Sequence, residues 1–347
     1  MNIDIALWLA QDAVTNGAVY VLLATALVLV YTVTRVIFVP QGEFISFAAL
    51  SLATLQDGKV PGTVYLLVAG GILVAIIDVI AAVLDQALHR LAKILIVNVA
   101  LPILVAAMAW WIAPRTDSLL LQIFITFAII TPLGPIVYRL AFQPIANASI
   151  LVLLIIAVAV HYMLTGLGLV FFGGEGLRSR PFLDQTFSVG VLNISAQSLW
   201  IVFTCVALIA LLWVVFERTL YGKALRATAV NRIGARLVGI SARFSGQLSF
   251  MLAALIGTVS GILISPTTTI YYDTGFLISL KGFVGAIIGG MTSYPLAAMG
   301  SLFVGFLESY SSFWASAFKE SIVFTLVIPV LLWRSLTSPH FEGDEEQ

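Results

Sequence analysis

Polar chemistry is scarce in this sequence of 347 residues. Charged residues make up 10% of it and hydrophobic ones 61%, with a mean hydropathy of +1.08. Soluble domains are usually about a quarter charged, so this composition leaves too little polar surface for a water-soluble fold. Cysteine is almost absent. Cys205 stands alone inside an apolar run, which excludes an intrachain disulfide and any CxxC metal or redox site. The three histidines, His89, His161 and His340, are scattered and form no HExxH or metal-binding cluster. No GxxxxGK[ST] phosphate loop occurs, because Gly58-Lys59 and Gly222-Lys223 lack both the glycine-rich lead and the following hydroxyl residue. A GxSxG nucleophile elbow is missing too. These absences point away from an enzyme, an ATPase site and a bound cofactor. A formal net charge of +0 gives no reason to expect a nucleic-acid partner. The opening MNIDIALWLAQDAVTNG has no basic start and no small-residue cleavage site, so no removable signal peptide is expected.

What is present is apolar length. Runs lie at about 16–37, 43–56, 63–84, 94–113, 118–138, 147–170, 197–216, 246–266, 276–291, 295–313 and 320–336. A span needs roughly 20 apolar residues, and only helices satisfy their backbone inside lipid. The expected fold is therefore all-α and polytopic, with about 10–11 transmembrane or re-entrant helices in one domain covering 1–347. Runs 43–56 and 276–291 are too short to cross comfortably and are expected to be tilted, broken or re-entrant.

The longest polar interruption, 217–245, carries Arg218, Lys223, Arg226, Arg232, Arg236 and Arg243 against Glu217 alone. Its pattern predicts one or two short amphipathic helices. With the N-terminus outside and each run crossing, the inner loops hold Arg35, Arg90, Lys93, Arg139, those six bases and Arg334. The outer loops hold Lys59, Arg115, Arg178, Arg180 and Lys319. Eleven against five follows the positive-inside bias and places the acidic C-terminal tail in the cytoplasm. Residues 173–196 form the longest expected outer loop, rich in glycine and open to a short strand or helix.

Ionisable groups within apolar runs are costly, so Asp78, His161, Lys281 and Glu308 attract notice. Lys281 and Glu308 can pair across neighbouring helices, which would be structural. The same four would also serve an ion-coupled carrier or channel working without ATPases. Gly285 and Gly289, four apart, fit either close helix packing or a thin pore wall.

Several stretches together resemble one family. KGFVGAIIGGMTSYPLAAMGSLFVGFLESYSS (281–312) is similar to the signature of the branched-chain amino acid ABC transporter permeases of the LivH type. GKALRATAVNRIGARLVGIS (222–241) resembles that family's coupling segment, NGAVYVLLATALVLVYTVTRVI (16–37) its opening helix, and YRLAFQPI (138–145) its Tyr-Arg-Pro connector. There are departures. Val230-Asn231 replaces an acidic position of the coupling helix, and Arg139 lacks its adjoining proline. The family's Asn-Phe-Ala-His-Gly-Asp reads Phe38-Val39-Pro40-Gln41-Gly42-Glu43, keeping the glycine and the acid. Extra apolar length, placed at 85–118, is expected to add two spans.

The resemblance implies one half of a pore, paired with a second permease subunit or a copy of itself. Two cytoplasmic ATPases would drive it and a periplasmic binding protein would deliver solute. The setting would be a bacterial inner membrane, and the cargo branched-chain or related amino acids, with urea and short amides still open. Arg226, Ala227, Ala229 and Gly239 would couple to the ATPase. Gly42, Glu43, Lys281, Gly285, Gly289 and Glu308 are the implied residues of the translocation path.

Overall fold

The computed structural model describes residues 3–189 and 192–337. The acidic tail, and Gly190 and Val191 of the 173–196 loop, lie outside these. Eleven long helical segments follow the eleven apolar runs: α1 (Ile3–Thr34), α2 (Gln41–Gln56), α3 (Thr63–Leu84), α4 (Leu91–Ile112), α5 (Leu119–Phe142), α6 (Ile150–Phe172), α7 (Ala196–Arg218), α10 (Ala242–Ile264), α11 (Thr274–Ile288), α12 (Tyr294–Trp314) and α13 (Ser316–Trp333). Between α7 and α10 lie two short helices, α8 (Leu220–Val230) and α9 (Arg232–Leu237). A hairpin of β1 (Thr186–Val189) and β2 (Leu192–Ser195) precedes α7. Eight of the described helices are long and apolar enough to cross a membrane.

Helix α1 departs from its expected span. It begins at Ile3 rather than near residue 16, because helix propagates through polar Asp4, Gln11 and Asp12 beyond the apolar slab. It stops at Thr34, where Arg35 turns to φ 63. Among the helices long enough to cross a membrane, those that begin the two halves of the protein are the most buried: 83% of the apolar window of α1 and 67% of that of α10 lie inside the protein, against 11% for α4. The core is thus built on α1 and α10, and α4 is peripheral.

The segment ends sort onto two faces. On the hairpin face, Gln11 reaches Asn193, Arg180 N–H donates to Gln56, Leu177 pairs with Ile270, and Gln122 Nε2 donates to the Leu55 and Thr116 carbonyls. On the basic face, Arg232 donates to the Ala146 carbonyl, Asp78 meets Arg139 and Arg243, and Leu225 packs against Leu29 and Val33. Arg35, Arg90, Lys93, Arg139 and the bases of 217–245 all lie toward that second face.

Helices α2 and α11 are the short ones, about 24 and 22 Å long at 1.5 Å per residue, against a hydrocarbon slab of about 30 Å. Both start inside it. Gln41 at the head of α2 donates from Nε2 to the Ala253 carbonyl, midway along α10, at 3.0 Å. The head of α11 then meets the head of α2, where Gly275 N–H donates to Ser46 Oγ at 2.8 Å. From this meeting α2 runs to the hairpin face and α11 to the basic face. The chain therefore repeats itself upside down: α1, irregular 35–40 and α2 correspond to α10, irregular 265–273 and α11. Packing is reciprocal as well, with α1 against α11, α10 against α2, and the two pairs in contact at the centre. Only backbone buried in protein can be irregular at such a depth.

Candidate functional site

The meeting of the two helix heads is closed tightly by glycine. A Cβ on Gly42 would lie 2.7 Å from Phe276 Cα, and one on Gly275 would lie 2.7 Å from Ser46 Oγ and 2.9 Å from the Gly42 carbonyl carbon. Beside this crossing Glu43, buried at 1% exposure, accepts from His161 at 2.5 Å (Nδ1 to Oε1). Thr165 Oγ1 donates to the same oxygen at 3.3 Å. Glu43 Oε2 has no hydrogen-bond partner among the described residues. The His161 ring stacks on Phe276 at 4.2 Å. Glu43 is in the first turn of α2, where the helix dipole favours a carboxylate.

Next to the crossing lies a cavity of about 180 Å³, lined by Leu27, Ile37, Phe38, Val39, Leu154, Phe276, Leu280 and Phe283, with Ser279 as its polar exception. Its wall comes from the irregular strand 36–39 and one face of α11. An apolar pocket of this size can hold a branched aliphatic group.

Lys281 and Glu308 are brought together, 2.5 Å from Nζ to Oε1. Tyr20 donates to Glu308 Oε2, and Glu320 Oε1 lies 3.6 Å from Lys281. This cluster ties α1, α11, α12 and α13, and neither Lys281 nor Glu308 lines the apolar cavity. The faces of Gly285 and Gly289 are filled by Ser301 and by the Ala297 backbone, so both glycines set the close approach of α12 to α11. Asp78 is gripped by Arg139 and Arg243, and Asn98 donates to it at 3.4 Å. Three of the four ionisable groups of the apolar runs thus meet a partner of opposite charge, and the fourth, His161, is held by Glu43. The partners Arg139 and Arg243 are tertiary facts that spacing along the chain does not reveal.

The segment 217–245 is a shelf on the basic face. Thr219 caps α8 through the Gly222 N–H, and Asn231 caps α9 through the Gly234 N–H. Buried Leu225 and half-buried Ala229 pin α8 to α1. Arg226 pairs with Glu217 at 2.5 Å, both partly exposed, and Ala227 is half-buried. Gly239 ends α9 at φ 88, its N–H bonded to the Arg236 carbonyl and Ile240 N–H to the Ala235 carbonyl. Val230, Ile233, Leu237 and Val238 project outward at 87%, 73%, 83% and 75% exposure. The apolar edge thus accompanies the small residues Ala227, Ala229 and Gly239 expected to matter here.

A family model described as the permease component of the branched-chain amino acid transport system matches residues 9–332. The chain is 29% identical over 205 residues to the high-affinity branched-chain amino acid transport system permease protein LivH of Escherichia coli (strain K12), covering 56% of this chain and 65% of that one. It is 26% identical over 230 residues to the permease protein BraD of Pseudomonas aeruginosa, covering 63% and 75%. With a probable LivH of Methanocaldococcus jannaschii it shares 27% identity over 226 residues, covering 61% and 70%. The match thus spans just under two thirds of the length of the Escherichia coli relative. No solved structure matches the chain significantly. With a match of this extent laid over a polytopic helical fold, the chain belongs to the branched-chain amino acid transport permease family.

Proposed function

We propose that this chain is the permease subunit of an ATP-binding-cassette importer for branched-chain or related amino acids, without an ATPase site of its own. Separate ATPase subunits drive it, a second permease subunit or a second copy completes the pore, and a periplasmic binding protein supplies solute. The observation that carries the reading is the shelf of α8 and α9. Four large apolar side chains face outward there among arginines, on a surface already capped and pinned to α1. Exposed apolar edges of this kind mark interaction surfaces, and a rigid short helix can pass a partner's movement on to the spans. In this reading the basic face is cytoplasmic, as the positive-inside bias requires, and the N-terminus lies outside. The apolar cavity suits a branched side chain.

The inverted repeat supports a different placement of the added spans. Helix α12 packs along α1 and α11, and the counterpart packing along α10 and α2 is made by α5, not by α3. We therefore assign the extra pair to α3 and α4, residues 63–112, in place of 85–118.

The test is co-purification of the tagged chain from gently solubilised membranes. An ATPase subunit is expected in the eluate of the wild type, and its recovery is expected to fall by about tenfold or more for Ile233→Asp combined with Leu237→Asp. Burying a charge at a partner interface costs at least 1.4 kcal/mol, a factor of ten. Ile233 and Leu237 are better probes than Gly239, where any side chain would strain the φ 88 backbone before it met a partner. A chain that comes out alone and still transports in vesicles without ATP would instead make the Glu43–His161 pair the coupling site of a secondary carrier.

A further inference from the structure

A second and larger cavity, about 600 Å³, lies away from the helix crossing, between α3, α4, α5 and the start of α10. Its charged lining consists of Arg90, Lys93, Arg139 and Arg243 against Asp78 and Asp85, an excess of two cations. The two acids are not equivalent. Asp78 is held between Arg139 and Arg243 and is thereby neutralised. Arg90 and Lys93, on the exposed approach to α4, form no ion pair among the described residues. Arg139 also keeps a buried Nε without a hydrogen-bond partner among the described residues.

Apart from the amides Asn98 and Gln247 the rest of the lining is apolar, with Val74, Ile94, Val97, Leu101 and Ile136 its largest side chains. Helix α4 makes a π-bulge over Ile96–Ala100, and Asn98 within it points back to Asp78. Such bulges frequently mark functional positions in a helix. Only 11% of the apolar window of α4 is buried, so most of this helix is left uncovered by the rest of the chain.

We infer that this cavity is a binding site for an anionic phosphate group, supplied by a phospholipid of the leaflet at the basic face. Arg90 and Lys93 form the cationic mouth, Arg139 and Arg243 the inner wall, and the apolar lining receives the start of an acyl chain. Charge supports this: two unpaired cations at headgroup depth attract a phosphodiester, and basic pockets between spans are where such headgroups are held. Shape supports it equally. A free anion would fill only the mouth, leaving most of the 600 Å³ apolar cleft empty.

The test is native mass spectrometry of the purified chain released from nanodiscs of defined lipid, with thermal melting in detergent as a second readout. Phosphatidylglycerol adducts are expected to outnumber phosphatidylcholine adducts. They should fall about tenfold or more in Arg90→Gln combined with Lys93→Gln, since each juxtamembrane base contributes about a factor of five. Both residues are exposed, so the variant should fold. Arg218→Gln combined with Lys223→Gln, on the same face but outside the cavity, should leave the adducts unchanged. Stabilisation by inorganic phosphate that depends on Arg90 and Lys93, without lipid selectivity, would keep the phosphate site and overturn its lipid source. Equal adducts with both lipids, or adducts lost as fully in the control variant, and no phosphate effect would overturn the site itself.

Discussion

Replacing Lys281 by methionine should destabilise the folded chain by about 3–5 kcal/mol, and replacing Glu308 by glutamine in the same chain should recover most of that loss. The pair is buried, with side-chain exposures of 7% and 10%. Desolvating two charges is costly, and their attraction roughly offsets it. Removing only the lysine breaks that balance, leaving the buried Glu308 carboxyl without its counter-charge among apolar helices. Glutamine carries no charge and its oxygen can still accept from Tyr20, whose hydroxyl donates to Glu308 in the wild type. Melting of detergent-purified protein, followed by fluorescence-detected gel filtration, measures the effect. A single variant that melts with the wild type would show that the pair does not hold α1, α11 and α12 together. A single variant and a double variant equally damaged would mean that methionine is failing by shape.

Gly42→Ala should cost about 1–3 kcal/mol or more and should abolish transport in whatever protein still folds. The added methyl would meet the backbone of Gly275 and Phe276, not the movable end of a side chain. Either the heads of α2 and α11 separate, or Phe276 shifts from its stack on His161 and out of the cavity wall. Both outcomes disturb the crossing where the heads of α2 and α11 meet. Gly166→Ala in α6 is the contrast, because a Cβ there has no neighbour within 4 Å. It should be neutral or stabilising by up to about 1 kcal/mol, as alanine favours helix. Melting temperature and vesicle uptake read both variants, and equal behaviour of the two would rule out the packing argument.

The helices are legible in the sequence because uninterrupted apolar length is a local property. All eleven runs became helical segments, and 217–245 became two capped helices. The shortness of 43–56 and 276–291 was visible too, but shortness alone leaves tilt, breakage and re-entry open. What decides among them is the hydrogen bond from Gln41 to Ala253, across 212 residues of sequence. The same holds for the candidate site. Glu43 and His161 were each conspicuous, yet nothing in the sequence placed them side by side. Arg139 looked like part of a connector and Arg243 like one more base of an inner loop, although both serve Asp78. Gly285 and Gly289 illustrate the reverse. Their spacing fitted a pore wall and a packing face equally well, and only the presence of Ser301 and Ala297 shows which surface they meet. The inverted repeat escaped notice because its two units share geometry without an obvious likeness in residues.

That repeat bears on how a passage could open from either side. The irregular stretch 35–40 joins one helix head to the basic face, and 265–273 joins the other to the hairpin face. Because the units are related by inversion, a rocking of α2 that loosens the first stretch has a mirror movement in which α11 loosens the second. On the proposed import function, one chain would thus carry two latches fitted in opposite directions, with the glycine contact as their common pivot. The energetic difference between facing one way and facing the other then resides in what the two copies do not share: the shelf of α8 and α9 on one side and the β-hairpin on the other. Direction of transport, in such an arrangement, is imposed from the two surfaces upon a nearly symmetrical centre.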